Sequence, residues 1–123
     1  MDSSATIAAG LVVALVGRAP RLRRVLRLAL EDADYHVLEG ESLALPWTTV
    51  AAVVVDLDSL GLRPAGLLSS LRTRGLAAAA PLVLVSVYPP EGALPAWRGP
   101  LEYLQPPFAP AEIVYRIRRA LDR

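Results

Sequence analysis

Hydrophobic and polar positions divide the chain into five short runs with strand character and several stretches with helical spacing. Three of the runs, LVVALV, AAVVVD and APLVLVSVY, are almost wholly apolar, as strands buried on both faces of a parallel sheet are. The run YHVLEG is brief and mixed in polarity, which places it near a sheet edge. The five predicted strands cover residues 11–16, 35–40, 51–56, 80–88 and 101–105.

Three stretches place apolar side chains three and four residues apart, the spacing of an amphipathic helix. They cover residues 20–33, 64–75 and 110–123; Pro20 suits a first helical turn, and Gly75 suits a helix end. The predicted inward positions are Leu22, Val25, Leu26, Ala29, Leu30 and Ala33 in the first stretch, Leu67, Leu68 and Leu71 in the second, and Ile113, Val114, Ile117 and Leu121 in the third.

Two further connections, in which helices are expected, are interrupted. Residues 41–49 contain Pro46 and the β-branched Thr48 and Thr49, which leave room for a turn at most. Residues 89–100 carry proline at positions 89, 90, 95 and 100, which excludes a regular long helix. We therefore predict shortened second and fourth helices.

Strands that alternate with helices imply right-handed crossovers and a parallel sheet covered by helices on both faces. Five such units in 123 residues fit a flavodoxin-like, doubly wound α/β fold, with a five-stranded parallel sheet in the strand order 2-1-3-4-5. The sequence has no internal repeat, linker or low-complexity segment. We predict a single domain over residues 1–123.

Composition excludes several classes of protein. The hydrophobic fraction of 54% lies above the usual globular range and argues against disorder. No apolar stretch reaches the ~18 residues that span a bilayer, and the N-terminus lacks the basic region of a signal peptide. The absence of cysteine excludes disulfides and fits a cytoplasmic location.

The charged residues narrow the chemistry further. A net charge of +1 gives no reason to expect nucleic acid as a partner of this domain. All thirteen basic residues are arginine, so mechanisms that need a lysine are excluded, among them the Walker-A loop and Schiff-base chemistry. The single histidine, His36, is expected on the surface, since one histidine cannot build a metal site without nearby acids.

Five arginines crowd the start of the first predicted helix. They form either a basic patch for an acidic partner or a solvated helix face, and we favour the second because the apolar residues between them account for the inward side. These arginines are Arg18, Arg21, Arg23, Arg24 and Arg27.

Asp56 ends the third predicted strand and raises two interpretations. An acid is a common first residue of a loop. Open α/β sheets also bind their ligands outside the carboxyl ends of their strands, which would make Asp56 part of a functional site. Its position alone does not choose between them.

Four segments, GRAP, VVVDLD, APLVLVS and YLQPPF, stand in this order along the chain. With them the chain, from about residue 10 to 123, resembles the receiver domain of bacterial two-component response regulators. Asp56 stands where receivers keep the phosphorylated aspartate, and Ser86 where they keep a Ser or Thr that moves to contact the phosphoryl group. Tyr103 stands at the family's switch aromatic, and YLQPPF is similar to its Y-L-x-K-P-F. GRAP is similar to the acidic D-D-x-P, with Pro20 aligned.

The chain departs from the receiver pattern where phosphoryl chemistry needs it most. Two adjacent acids that hold Mg²⁺ with the acceptor aspartate are replaced by Gly17 and Arg18, and the invariant lysine by Pro106. Mg²⁺ needs several oxygen ligands, and phosphoryl transfer depends on positioning and charge neutralisation. The resemblance implies a degenerate phosphoacceptor site with no bound metal or other cofactor and no catalytic residue, consisting of Asp56, Gly17, Arg18, Asp58, Ser86 and Pro106.

Three functions fit these observations. The leading one is a pseudo-receiver, a signalling or regulatory module that works through protein contacts without phosphorylation and is not an enzyme. The second is an atypical phosphoacceptor receiver that uses Asp56. The third is a flavodoxin-like binder of a small ligand at the strand ends, although the chain has no glycine-rich phosphate loop.

A protein-binding surface is expected around residues 88–103 and the last helix, because in receivers this face contacts partners or a second receiver. The segment is rich in aromatic residues and proline, which give contact area at small entropic cost. Tyr88, Trp97 and Tyr103 are the candidate contacts. Alternatively, Trp97 fills space left by a shortened helix.

Arg18 and Asp56 should leave neighbouring strands at one edge of the sheet. A partly buried carboxylate without a counter-charge is costly, so we expect the Arg18 guanidinium to reach Asp56 and replace the metal. The alternative is that Arg18 points into solvent and backbone N–H groups of the following loop satisfy Asp56.

Overall fold

The computed structural model describes residues 10–42, 50–73, 81–88 and 99–122. In these segments the five predicted strands and the three predicted amphipathic helices are present, with one additional short helix directly after the third strand. In chain order the elements are β1 (Val12–Val16), α1 (Pro20–Asp32), β2 (His36–Gly40), β3 (Ala52–Asp56), α2 (Leu57–Leu60), α3 (Pro64–Thr73), β4 (Leu82–Val85), β5 (Leu101–Leu104) and α4 (Pro110–Leu121).

The five strands form one parallel sheet in the order β2-β1-β3-β4-β5. The predicted fold class and strand order are therefore confirmed. In the register between β1 and β3, Val16 pairs with Val55, and between β3 and β4, Asp56 pairs with Val85. The carboxyl ends of these three strands consequently meet at one edge of the sheet.

Helices cover both faces of the sheet and bury a core on each. On one face, α1 and α4 contribute the fully buried residues Leu26, Leu30, Ile113 and Ile117. On the other face, α3 contributes Leu67, Leu68 and Leu71, all of them predicted inward positions. Every residue of β3 is buried, as the apolar run from Ala52 to Val55 predicts, and the burial extends to Asp56 at its end.

The inward positions of the first and last helices are confirmed with one exception. Leu22, Ala29 and Ala33 of the first stretch, and Val114 and Leu121 of the last, are partly buried against the core. Val25, however, is 42% exposed, so its predicted inward position is wrong. It precedes the fully buried Leu26 by one residue, which turns it about 100° away from the centre of the buried stripe.

The short helix α2 was not predicted from the sequence. It follows Asp56 without an intervening loop residue and ends at Leu60, and the next residue, Gly61, adopts the left-handed conformation with a φ of 67°. The Gly61 N–H donates to the carbonyl of Asp58, which closes the turn. This helix places residues 57–60 directly over the carboxyl edge of the sheet.

Some predictions fall on residues outside the described segments. The shortened second and fourth helices lie mainly in residues 43–49 and 89–98, and Trp97 and Gly75 also lie outside. Among the helices that the structure describes, none combines the length and apolar character needed to cross a membrane.

Two of the arginines at the start of the first helix hold the edge strand β2 against α1. Arg23 pairs with Glu39 (Nε–Oε1, 3.3 Å), and Arg27 pairs with the same carboxylate (Nη1–Oε2, 3.5 Å). Arg23 also donates to the carbonyl of Gly17 at 3.0 Å. These two arginines are thus structural ion-pair partners, whereas Arg21 and Arg24 are exposed.

Candidate functional site at the carboxyl edge of the sheet

Gly17 and Asp56 leave neighbouring strands side by side, as expected from the strand order. Asp56 is buried, with 6% of its surface exposed. A Cβ atom on residue 17 would stand 2.9 Å from the Asp56 Cβ and 3.4 Å from its Oδ2, closer than a side chain can be accommodated without movement. A side chain at residue 17 would therefore force Asp56 or the loop after β1 to move, because Asp56 fills the space that the side chain would need.

Ser59, on α2, ties the loop after β1 to the end of β3. Its Oγ accepts a hydrogen bond from the Arg18 backbone N–H at 2.8 Å and donates to the Asp56 carbonyl at 3.2 Å. The same Oγ would lie 3.3 Å from a Cβ on Gly17. The loop therefore passes beneath α2 with no space for a larger residue at position 17.

The expected ion pair between Arg18 and Asp56 is not formed. The Arg18 side chain is exposed, and its Nε donates to the Glu41 carbonyl at 3.4 Å instead. The alternative expectation, in which backbone N–H groups satisfy the carboxylate, is not met either. In the segments that the structure describes, no hydrogen bond or ion pair involves the Asp56 carboxylate.

Asp58, on α2, bridges the ends of β3 and β4. Its Oδ1 accepts a hydrogen bond from the Ser86 hydroxyl at 2.7 Å, and its Oδ2 accepts one from the Val87 backbone N–H, also at 2.7 Å. Ser86 is buried, and its Oγ additionally accepts the Tyr88 N–H at 3.2 Å. The Ser86 hydroxyl is thus satisfied both as a donor and as an acceptor.

The hydrogen bonds continue from β4 to β5. The Tyr103 hydroxyl donates to the carbonyl of Tyr88, and the Gln105 side-chain amide donates to the carbonyl of Val87 at 2.9 Å. The Arg63 guanidinium lies 5.0 Å from the centroid of the Tyr88 ring, in the range of a cation–π contact. Residues 86–88 are therefore held by Asp58 on one side and by Tyr103 and Gln105 on the other.

The residues at this edge do not fit a Mg²⁺ ion. Gly17 has no room for a carboxylate, Arg18 brings a positive charge, and both oxygens of Asp58 are engaged. No group of three or more histidine or acidic side chains is placed to hold a metal in the described part of the chain, and His36 is exposed there, as expected. A hard cation that needs about six oxygen ligands finds one carboxylate, that of Asp56.

Pro106 is the residue that stands where the receiver pattern has its invariant lysine. It is partly buried just after β5, and the peptide bond between Pro106 and Pro107 is cis. A proline side chain carries neither a charge nor a hydrogen-bond donor. It supplies no group that could neutralise an anion at this edge.

Sequence reasoning missed two sets of contacts. The first is the bridge from Asp58 to Ser86, which the sequence does not reveal because no helix is predicted over residues 57–60. The second is Glu102, a buried acid on β5 that pairs with Arg116 (3.2 Å) and Arg119 (3.6 Å) of α4. The spacing of these arginines, three residues apart on one helix face, was the available signal.

No protein-family model matches the sequence, and no curated protein matches it. Solved structures with the same fold are nevertheless found. Full-length FixJ from B. japonicum is 17% identical with a TM-score of 0.72; the alignment covers 93% of this chain and 59% of that one. The chain thus spans less than two thirds of FixJ.

Shorter solved proteins match over nearly their whole length. The receiver domain of the sensor histidine kinase PA1611 from Pseudomonas aeruginosa PAO1, solved with a magnesium ion in its active-site cleft, is 17% identical with a TM-score of 0.71, and the alignment covers 94% of this chain and 100% of that one. A response regulator receiver domain protein from Bacillus halodurans C-125 is 18% identical with a TM-score of 0.68, over 92% and 95% of the two chains. The chain therefore has the fold of response-regulator receiver domains.

Proposed function

We propose that this chain is a pseudo-receiver, a signalling or regulatory module of bacterial type that works through protein contacts and without phosphorylation of Asp56. The observation that carries the proposal is the packing of Gly17 against Asp56. In receivers, an acid in the neighbourhood of residue 17 helps to hold Mg²⁺, and here the space for its side chain is already filled. The acceptor position is present while its metal site is closed.

Two further features support phosphorylation independence. The lysine that neutralises the phosphoryl group in receivers is replaced by Pro106, and no lysine exists elsewhere in the chain. Ser86, which stands where receivers keep the hydroxyl that moves to the phosphoryl group, already donates to Asp58. Phosphoryl transfer relies on positioned charge, and both kinds of positive charge are missing.

The protein contacts are proposed to involve the region around residues 88–103 and the last helix. Tyr88 is 54% exposed and Tyr115, on α4, is 58% exposed, so both aromatic side chains are accessible to a partner. Aromatic residues are enriched where protein interfaces carry most of their binding energy. A protein partner or a second copy of the chain is the proposed ligand, in the cytoplasm.

The test is phosphorylation of the intact protein. The wild-type chain is incubated with acetyl phosphate and Mg²⁺, and its mass is measured, with Asp56→Asn as the matched control. We expect no phosphoryl adduct on either protein and no Mg²⁺-dependent change in the NMR signals around Asp56. An adduct on the wild type that is missing from Asp56→Asn would refute phosphorylation independence.

An atypical phosphoacceptor is the second candidate, and one observation favours it. The carboxylate of Asp56 has no described partner at the end of β3, so no hydrogen bond to a described residue has to be broken before it reacts. The same experiment separates the two candidates, because acetyl phosphate would modify Asp56 only if the site can stabilise the added negative charge.

A further inference from the structure

The Asp58 carboxylate takes two donors at the end of β4, one with each oxygen. The Ser86 hydroxyl and the Val87 N–H both lie 2.7 Å from it. These are the short distances of charge-assisted hydrogen bonds, and because Asp58 is exposed, solvent reduces their strength. One carboxylate thus satisfies a hydroxyl and a backbone amide that point to the same place.

This donor pair lies beside Asp56. In the strand register Asp56 pairs with Val85, so Ser86 and Val87 are the next residues on the neighbouring strand. Within the described segments, the other polar groups around Asp56 are engaged elsewhere: Arg18 N–H binds Ser59, and the Arg18 guanidinium binds the Glu41 carbonyl. An anion attached to Asp56, or bound next to it, would need the hydroxyl and the amide that Asp58 already occupies.

We propose that Asp58 is a built-in anionic occupant of this donor pair, which holds the carboxyl edge of the sheet in one conformation without any attached or bound anion. The inference rests on the proposed function and gives a structural reason why that function would not need phosphorylation. A carboxylate supplied by the chain itself makes the conformation at residues 86–88 independent of an external signal.

The hydrogen bonds that begin at Asp58 continue to a residue on the surface. The Ser86 Oγ that donates to Asp58 also accepts the Tyr88 N–H, and the Tyr88 carbonyl accepts the Tyr103 hydroxyl. Release of Asp58 would free the Ser86 hydroxyl to rotate and would remove the only described acceptor of the Val87 N–H. Tyr88, exposed and proposed as a contact residue, is therefore fixed in place through Asp58.

The first experiment measures amide hydrogen exchange in Asp58→Ala. The Val87 and Tyr88 amides should exchange about tenfold faster or more than in the wild type, because Val87 loses its acceptor and Ser86 its anchor. Asp32→Ala is the matched control: it removes the same charge from an exposed residue at the end of α1 and should leave both amides unchanged. Equal exchange in wild type and Asp58→Ala would overturn the proposal.

The second experiment tests whether the freed donors accept an external anion. Inorganic phosphate is titrated into Asp56→Asn and into Asp56→Asn/Asp58→Ala, the first change removing the repulsion of the neighbouring carboxylate. We expect phosphate to shift the Val87 amide signal in the double variant alone. A shift in neither protein, or the same shift in both, would refute the occupancy of an anion site by Asp58.

These outcomes are separable from those of the proposed function. A phosphoryl adduct on Asp56 of the wild type would refute phosphorylation independence, whatever the exchange rates show. Unchanged exchange in Asp58→Ala would remove the role of Asp58, while the closed metal site at Gly17 and the missing lysine would still support a pseudo-receiver.

Discussion

Glu102 on β5 and Arg116 on α4 form an ion pair of 3.2 Å in which the acid is almost completely buried and the base is partly exposed. Arg119, one turn further along the helix, approaches the other carboxylate oxygen at 3.6 Å. Together they attach the last helix to the edge strand of the sheet. A buried acid is tolerated here because both of its oxygens face a guanidinium group.

Replacement of Glu102 by glutamine should therefore destabilise the fold. We expect the free energy of unfolding to fall by about 1–3 kcal/mol, since the arginines lose their charged partner, although their exposure to solvent limits the loss. Urea denaturation measures it. Arg118→Ala, an exposed arginine on the same helix, is the control and should change stability by less than about 0.5 kcal/mol. If Glu102→Gln lowers stability no more than Arg118→Ala does, the ion pairs of Glu102 make no measurable contribution to the free energy of unfolding.

Introduction of a methyl group at Gly17 should also be destabilising. Gly17→Ala places a Cβ 2.9 Å from that of Asp56, so the loop or α2 must move. Overpacking of this kind typically costs about 1–3 kcal/mol. Gly66→Ala is the matched control, because a Cβ on that residue of α3 meets nothing within 4 Å, and alanine there should stabilise the helix by up to about 1 kcal/mol.

The comparison of the two glycines is made from the midpoints of urea denaturation. If the packing argument is correct, Gly17→Ala lowers the denaturation midpoint and Gly66→Ala raises it or leaves it unchanged. If Gly17→Ala is neutral or stabilising, the carboxyl edge can accommodate a side chain at residue 17. The proposal that the metal site is closed would then lose its main support.

The proposed interface predicts a loss of association from two aromatic residues. Trp97→Ala and Tyr88→Ala should each weaken self-association or partner binding by about 2 kcal/mol, roughly 30-fold in Kd, since aromatic anchors carry this much at interfaces. Tm should change little. Sedimentation of the purified protein measures self-association, and Leu28→Ala, an exposed apolar residue on α1, is the control.

The outcome for Trp97 distinguishes its two interpretations. If Trp97→Ala lowers Tm sharply and leaves association unchanged, the tryptophan fills the core. The interface would then rest on Tyr88 and Tyr115 alone.

The fold was predictable because whole runs of residues, and not single positions, carry the hydrophobic pattern that indicates each strand and helix. The third strand is apolar up to its last residue, Asp56, and therefore requires helices on both of its faces. The second strand is mixed in polarity and marks an edge, and together the two strands favour the observed strand order. The inward residues of α1 followed from their spacing, but Val25 did not, because its side chain falls at the margin of the stripe and the width of the covered face depends on the neighbouring helix α4.

The carboxyl edge was predictable only in part. Strand order placed Gly17 beside Asp56, as the structure has it. The helix α2 begins one residue after Asp56, whose side chain makes no capping hydrogen bond, and its four residues are too few to show a helical periodicity. As a consequence, the roles of Ser59 and Asp58 were not visible, and Arg18 was expected at Asp56 although the carbonyl of Glu41 holds it.

The contact between Gly17 and Asp56 also has an evolutionary meaning. A single substitution of Gly17 by an acid would crowd Asp56 and Ser59 and force one of them to shift before any metal could bind. A compensating change in α2 would have to come earlier or at the same time. The packing therefore makes residues 17, 56 and 59 epistatic: the effect of a side chain at residue 17 depends on the side chains at the other two positions.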